Sequence, residues 1–416
     1  MQVLRICALA VGGLALAFGW GLAQPSYTVC PQGPPTCPFK KIAEAIQAAE
    51  PGGTITIGPG TYSERLLIDK SLTLRGAGRT VTTLRARSED FAITVRGTAH
   101  VTIEGIRISG PKDEFFDIKA IQVTDQARLF LYSALLERGK LGIFVEGEAI
   151  AKIYNAVINE YLDTAVTARG KAQLTVGYSV LRKNGRNFAL YMSAQGLIEE
   201  NEIIGGLIEF SGDAQVTLQS NRLTFAPPVQ YEKSQLRLLN SETRLYSNQF
   251  FFYKIDVFGI TQLVIKDNRI EGEGVSFYDA SSGIVVSNEI VKAKWGIFVR
   301  SSGSFAIERN FIGMNDGRGI ELGRAQAVVR NNRVWGNNND GIMLFGNAQL
   351  EIMGNHINDN QGWGIATLTD TCYDLRELKD YPDEDLFQGV VTGSDNILQN
   401  NKKGDLCGVP ESLKKP

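Results

Sequence analysis

Histidine is nearly missing from this 416-residue chain: His100 and His356 are the whole supply, and they lie far apart in sequence. That scarcity argues against a His-rich metal centre, and without clusters of His, Met or Cys a copper site lacks ligands as well. Each histidine reads as a loop or surface residue. The few cysteines are spaced wrongly for a compact zinc knuckle. Charge of one sign is missing too. The formal net charge is -2 with both signs dispersed, so there is no basic stripe and nucleic acid is not an expected partner. After the first two dozen residues no apolar run is long enough to cross a bilayer.

The one long apolar run opens the chain, "MQVLRICALAVGGLALAFGWGLAQ". Arg5 precedes it, and Gly21-Leu22-Ala23 puts small residues three places and one place before a cut ahead of Gln24. Residues 1–23 therefore read as a signal peptide, with a retained membrane anchor as the rival reading. The expectation is export to the periplasm, the cell envelope or the medium, followed by release without a stable membrane span. Removal takes Cys7 away and leaves Cys30, Cys37, Cys372 and Cys407, enough for one disulfide near each end. Pairing Cys30 with Cys37 and Cys372 with Cys407 is one of three connectivities.

What the chain has in quantity is glycine, 44 residues of it, beside many Asn, Ile, Val and Leu. Glycine and Asn tolerate positive φ while branched residues fill a pleated surface, so short strands with tight turns are expected. The order within this composition is a repeat. Gly296-Ile297, Gly319-Ile320, Gly341-Ile342 and Gly364-Ile365 recur at steps of 23, 22 and 23, and Asn288, Asn310, Asn332 and Asn355 keep the same rhythm. Asn201, Asn221, Asn248 and Asn268 extend it upstream.

A period of this size means a solenoid or a propeller, and a propeller blade needs about twice the length. A Leu-x-x-Leu-x-Leu ladder is absent, and each unit holds two or three short strands without helical periodicity. The fold class is therefore all-β, a parallel β-helix whose coils, about 4.8 Å apart, bury one column of Ile, Val and Leu. Ile342 and Leu344 point in, Gly341 and Met343 point out, and the recurring Asn stack into an amide ladder. Residues 24–54 form an N-terminal cap, with a short amphipathic helix that has apolar residues at 39, 42, 46 and 49 and is ended by Pro51 and two glycines. Twelve to fourteen coils span 55–371. Residues 372–416 drop the rhythm and read as a C-terminal cap held by its disulfide, with "GSDNILQNN" as an irregular last strand.

The run "KKIAEAIQAAEPGGTITIGPGTYSERLLIDKSLTLRGAG" and the "NxI" and "GI" coils after it resemble the right-handed parallel β-helix proteins of the pectate lyase-like superfamily, above all bacterial exported members of unassigned function. The resemblance covers nearly all of the mature chain and implies the fold, right-handed. It implies little about function, because the scaffold carries pectate lyases, polygalacturonases, pectin methylesterases, alginate epimerases, phage tailspikes and a copper-site maturation protein. None of the motifs "RxPxxR", "DPHE", "NTD" with "DD" and "GHG", or "GxVDFIFG" occurs here.

The resemblance implies a ligand across a side face, bordered by longer turns. The turns lengthen near 109–120, 224–239 and 248–259, where Phe225, Tyr231, Phe250, Phe251, Phe252, Tyr253 and Phe258 gather. Exposed rings there would stack on sugars. The position after each inward Ile gives an outward stripe: Phe144, Thr167, Tyr191, Glu209, Phe298, Glu321, Met343 and Ala366. Two residues further on come Glu146, Arg169, Arg300 and Phe345. Arg300 and Glu321 would then be one coil apart, with Asp340 and Asp316 in the flanking turns. Such a set would suit a uronate sugar, Arg300 neutralising its carboxylate while a carboxylate moves the proton in a lyase, hydrolase or epimerase reaction. The same charges would also serve a solvated sheet face that resists aggregation. Arg169, Tyr191 and Glu209 form a second candidate cluster. The expectation is a monomer that binds or acts on a polysaccharide, with a non-catalytic envelope component as the alternative; no cofactor is evident, and calcium stays open.

Overall fold

The computed structural model describes residues 27–86, 90–111, 117–225, 234–378 and 381–415, so the expected signal peptide and Tyr231 lie outside the described residues. The strands stack in parallel into a solenoid of about 14 turns. One side is a sheet of sixteen strands, and a second sheet wraps the rest of the column. Register follows the repeat. Ile297 lies beside Ile320, Ile320 beside Ile342 and Ile342 beside Ile365, all four buried in one continuous core.

The helix Ile42–Ala48 lies where the apolar spacing places it, with Ile42, Ala45 and Ile46 buried against the first coil. Its N-terminal N–H groups at Ile42 and Ala43 donate to the Glu64 carboxylate at 2.9 and 3.0 Å, an anion where the helix dipole favours one. Gly52, at φ +86°, turns the chain out of the helix and into the strand Thr54–Ile57.

The amide ladder is continuous from Asn201 to Asn396. Asn268 shows its logic: Oδ1 accepts the backbone N–H and the Nδ2–H of Asn248 at 2.8 and 3.0 Å, while Nδ2 donates to the Leu245 carbonyl and to Asn288 Oδ1. The residue before each ladder Asn takes a left-handed conformation, as at Ser247, Asp267 and Ser287 with φ of 54°, 57° and 56°. That costs roughly 1–2 kcal/mol per turn for a non-glycine residue, and the buried amide bonds offset it. A second ladder, Asn315, Asn337, Asn360 and Asn401, lines another corner and was not anticipated from the sequence.

The C-terminal region differs from a simple cap. The ladder steps from Asn355 to Asn396 and from Asn360 to Asn401, 41 residues each, because one coil contains a long excursion. Residues after Leu368 leave the column, cross its outer side, and return at Val390. The strands Val390–Thr392, Ile397–Gln399 and Gly404–Cys407 then pair with the preceding coil, so coil stacking continues past 371. The strand expected in "GSDNILQNN" is one of them. Beyond it Leu413, in the turn Glu411–Leu413, closes the end of the core. The disulfide Cys372–Cys407 ties the start of the excursion to the last coil, and Cys30–Cys37 forms at the other end.

Candidate functional site

The register puts Phe298, Glu321, Met343 and Ala366 in one outward column, as the Gly-Ile alignment anticipates. Upstream, the same column runs through Thr167, Ala189, Glu209, Arg237, Asp256 and Ser276. Tyr191 belongs instead to the neighbouring column, beside Arg169. Arg169 itself pairs with Glu146 at 2.6 Å, and Glu209 sits 4.0 Å from Arg186, so the second candidate cluster is split between two ion pairs.

The quartet Arg300, Glu321, Asp340 and Asp316 is not one convergent set. Arg318, which the sequence reading passed over, joins two of its members: Nε donates to Asp340 Oδ2 at 3.0 Å and Nη1 to Glu321 Oε2 at 3.3 Å. Asp340 is fully buried and also receives the Tyr373 hydroxyl at 2.8 Å and the Trp363 backbone N–H at 2.8 Å. Burial pushes the Glu321 carboxyl above its usual range, against the pull of Arg318. Arg300 pairs with Asp385 of the C-terminal excursion, and Asp385 accepts a second bond from Arg324 at 3.1 Å. Asp316 lies exposed in its turn, apart from this network.

The excursion covers these charges with an apolar layer. Met343, Phe345, Ala366, Leu368, Cys372 and Tyr373 form a second buried cluster outside the main core, with Phe298, Tyr381 and Leu386 against it. Phe345 fills the space that Gly323 leaves; a Cβ on Gly323 would come within 2.1 Å of that ring.

Three coils upstream the same face is different. Phe258 and Tyr278, half-buried in adjacent coils, stack at 5.0 Å with an interplanar angle of 11°, and Tyr278 lies 5.7 Å from Phe298. Arg237 sits over Phe258 and Lys294 over Trp295, at 5.5 and 4.6 Å. Small residues, Gly274, Ser276 and Gly296, occupy the outward positions between the ring row and Trp295. Val275 replaces the Ile of the Gly-Ile marker here, so of this ring row only Phe258 and Phe298 are marked in the sequence. Of the other gathered aromatics, Phe250 and Tyr253 are core, Phe251 lies under Arg222, and Phe252 is exposed.

Two carboxylates lie in the same stretch. Asp256 is buried: Oδ2 takes Lys254 Nζ at 2.8 Å and a bond from Gln235 Nε2, while Oδ1 has no hydrogen-bond partner. Glu273, also buried, is raised in pKa by desolvation, which Lys294 partly opposes. Among the described residues no three His, Cys, Asp or Glu side chains come together as a metal-ligand set. A second ring group, Phe130, Tyr132 and Tyr154, sits on the sixteen-stranded sheet at 6.0 to 6.3 Å.

Comparison with known proteins is consistent with this architecture. The family model described as "Right handed beta helix region" matches residues 253–371. A cell surface glycoprotein of Methanothermus fervidus is 39% identical over 80 residues, 19% of this chain and 13% of that relative, so the match spans a small part of its length. Among solved structures, an alginate lyase from Paenibacillus sp. str. FPU-7 gives a TM-score of 0.42 at 12% identity, covering 55% of this chain and 91% of that one. The catalytic unit of a GH87 alpha-1,3-glucanase from Streptomyces thermodiastaticus gives 0.44 at 14% identity, covering 85% and 65%. In fold, the chain is a right-handed parallel β-helix protein, with the family's sequence pattern written into residues 253–371.

Proposed function

We propose that this is an exported protein that holds a uronate-containing polysaccharide along the face between Glu209 and Arg300. The observation that carries the reading is the half-exposed ring row Phe258, Tyr278 and Phe298 on successive coils. Outward positions of a wet sheet face are normally polar, and rings placed there expose apolar area that a sugar's C–H face would cover. Arg237 and Lys294, both exposed at the edges of the row, supply cations for carboxylates spaced along a chain. Two disulfides support an oxidising destination.

For Arg300, Glu321 and Asp340 the reading is a mechanical one, because each already has a charge partner: Arg300 holds Asp385 of the excursion, and Glu321 and Asp340 hold Arg318, which donates to Tyr381 of the excursion. A second reading, catalysis, is favoured by Asp256, buried beside Lys254 with one carboxylate oxygen unpartnered, and by Glu273, which burial keeps protonated to higher pH. The test is a panel of alginate, polygalacturonate and neutral glycans, scored for thermal protection and for released sugars or unsaturated products. Selective protection by the polyuronates supports the proposal. Protection by none of them would leave a structural envelope role as the better account.

A further inference from the structure

An outward side chain on a coil face is buried either by its own neighbours in the sheet, as Asp256 and Ser276 are, or by a segment that lies over it. From Ile320 onward such a segment is present: Met343, Phe345 and Ala366 point outward and yet are buried, under Tyr373, Tyr381 and Leu386 of the C-terminal excursion. Upstream the face changes character within one coil, since Phe258 and Tyr278 are half-exposed and Arg237 is exposed. Phe298 marks the border, 5.7 Å from Tyr278 on the open side and stacked 6.2 Å from Phe345 on the covered side. Arg300 stands beside it, held by Asp385, whose other oxygen takes Arg324.

We propose that the excursion is an end-stop, so that the face receives the terminus of a polyuronate chain and not its interior. This rests on the reading of the ring row as a polysaccharide site. The rings follow one another from coil to coil, so a chain laid along their outward edges runs along the column axis and meets the excursion at Phe298 and Arg300. To pass, it would have to displace Asp385 from two arginines and Tyr381 from Arg318, whose Nη1 donates to the Tyr381 hydroxyl at 2.9 Å. The disulfide Cys372–Cys407 restrains the same segment. In the other direction, past Glu209 toward Ala189 and Thr167, the described residues of the excursion make no recorded contact, so the rest of the polymer extends that way.

The test is calorimetric titration of the disulfide-intact protein with alginate and polygalacturonate fractions of tenfold different mean length. End recognition gives one protein per chain at both lengths, so the mass of polymer needed for saturation rises tenfold with length. Asp385→Ala, which frees Arg300 and Arg324, should let several proteins load on each long chain. If the wild-type protein already loads in proportion to length, and Tyr278→Ala abolishes that binding, the end-stop is overturned while the ring-row site stands. An Asp385→Ala variant that folds and still counts chain ends overturns the excursion's part. No binding of either polymer at any length overturns both; should Asp385→Ala not fold, the wild-type length series decides alone.

Discussion

Arg318 Nε donates to Asp340 Oδ2 at 3.0 Å, and the two residues hold the same position in consecutive coils, two places before the inward Ile320 and Ile342. This pair lies beneath the C-terminal excursion. Replacing Arg318 by Met strands two buried carboxylates, so Arg318→Met should destabilise the protein by about 3–5 kcal/mol. Urea unfolding followed by far-ultraviolet circular dichroism reads this, and a loss under about 1 kcal/mol would mean that the pair is already solvated.

Glu321 sets a pH dependence of definite sign. Its native pKa lies above the ordinary 4.5, so the folded protein keeps this proton to higher pH than the unfolded chain does. Stability from this group is full below about 4.5 and falls as pH rises through the native value. Glu321→Gln should therefore flatten the decline of the unfolding midpoint above pH 4.5, and an unchanged slope would contradict the assignment.

The amide ladder should be costly to interrupt. Asn268→Ala removes the acceptor for the backbone N–H of Asn248 and leaves it buried. A loss of about 1–3 kcal/mol per stranded group is expected. Hydrogen exchange should show faster exchange at Asn248 and its flanking turn first, since each coil leans on its neighbours.

Gly323→Ala tests how the excursion is seated. The added methyl competes with the Phe345 ring, and overpacking of this kind costs about 1–3 kcal/mol. Limited proteolysis should then cut within 369–388 well before the coils, while the same change at the half-buried Gly336, where no atom lies within 4 Å, alters backbone strain without touching the excursion.

The fold was legible because period is a local property. Ile320 and Asn332 each recur after about 22 residues, and strand pairing turns that recurrence directly into contact. Arg318 obeys the same period with Asp340, and escaped notice because attention fell on the position after Ile rather than the one two places before it. Phe258 was among the gathered aromatics, but its neighbour Tyr278 was not legible, because the Gly-Ile marker lapses at Val275 and with it the outward stripe from Arg237 to Ser276. The partner of Arg300 was not legible at all. Asp385 lies 85 residues away in an aperiodic segment, and its path over the column is decided by packing of Tyr373, Tyr381 and Leu386 that no repeat announces.

The central claim is that the ring row is a polysaccharide platform, and the most direct measurement compares polygalacturonate binding by Tyr278→Ala and by Phe130→Ala. Loss of the Tyr278 ring should weaken binding about tenfold, roughly 1.4 kcal/mol, while Phe130→Ala, on the sixteen-stranded sheet, leaves it unchanged. Unaltered binding by Tyr278→Ala together with weakened binding by Phe130→Ala would move the platform to the other sheet and contradict the account.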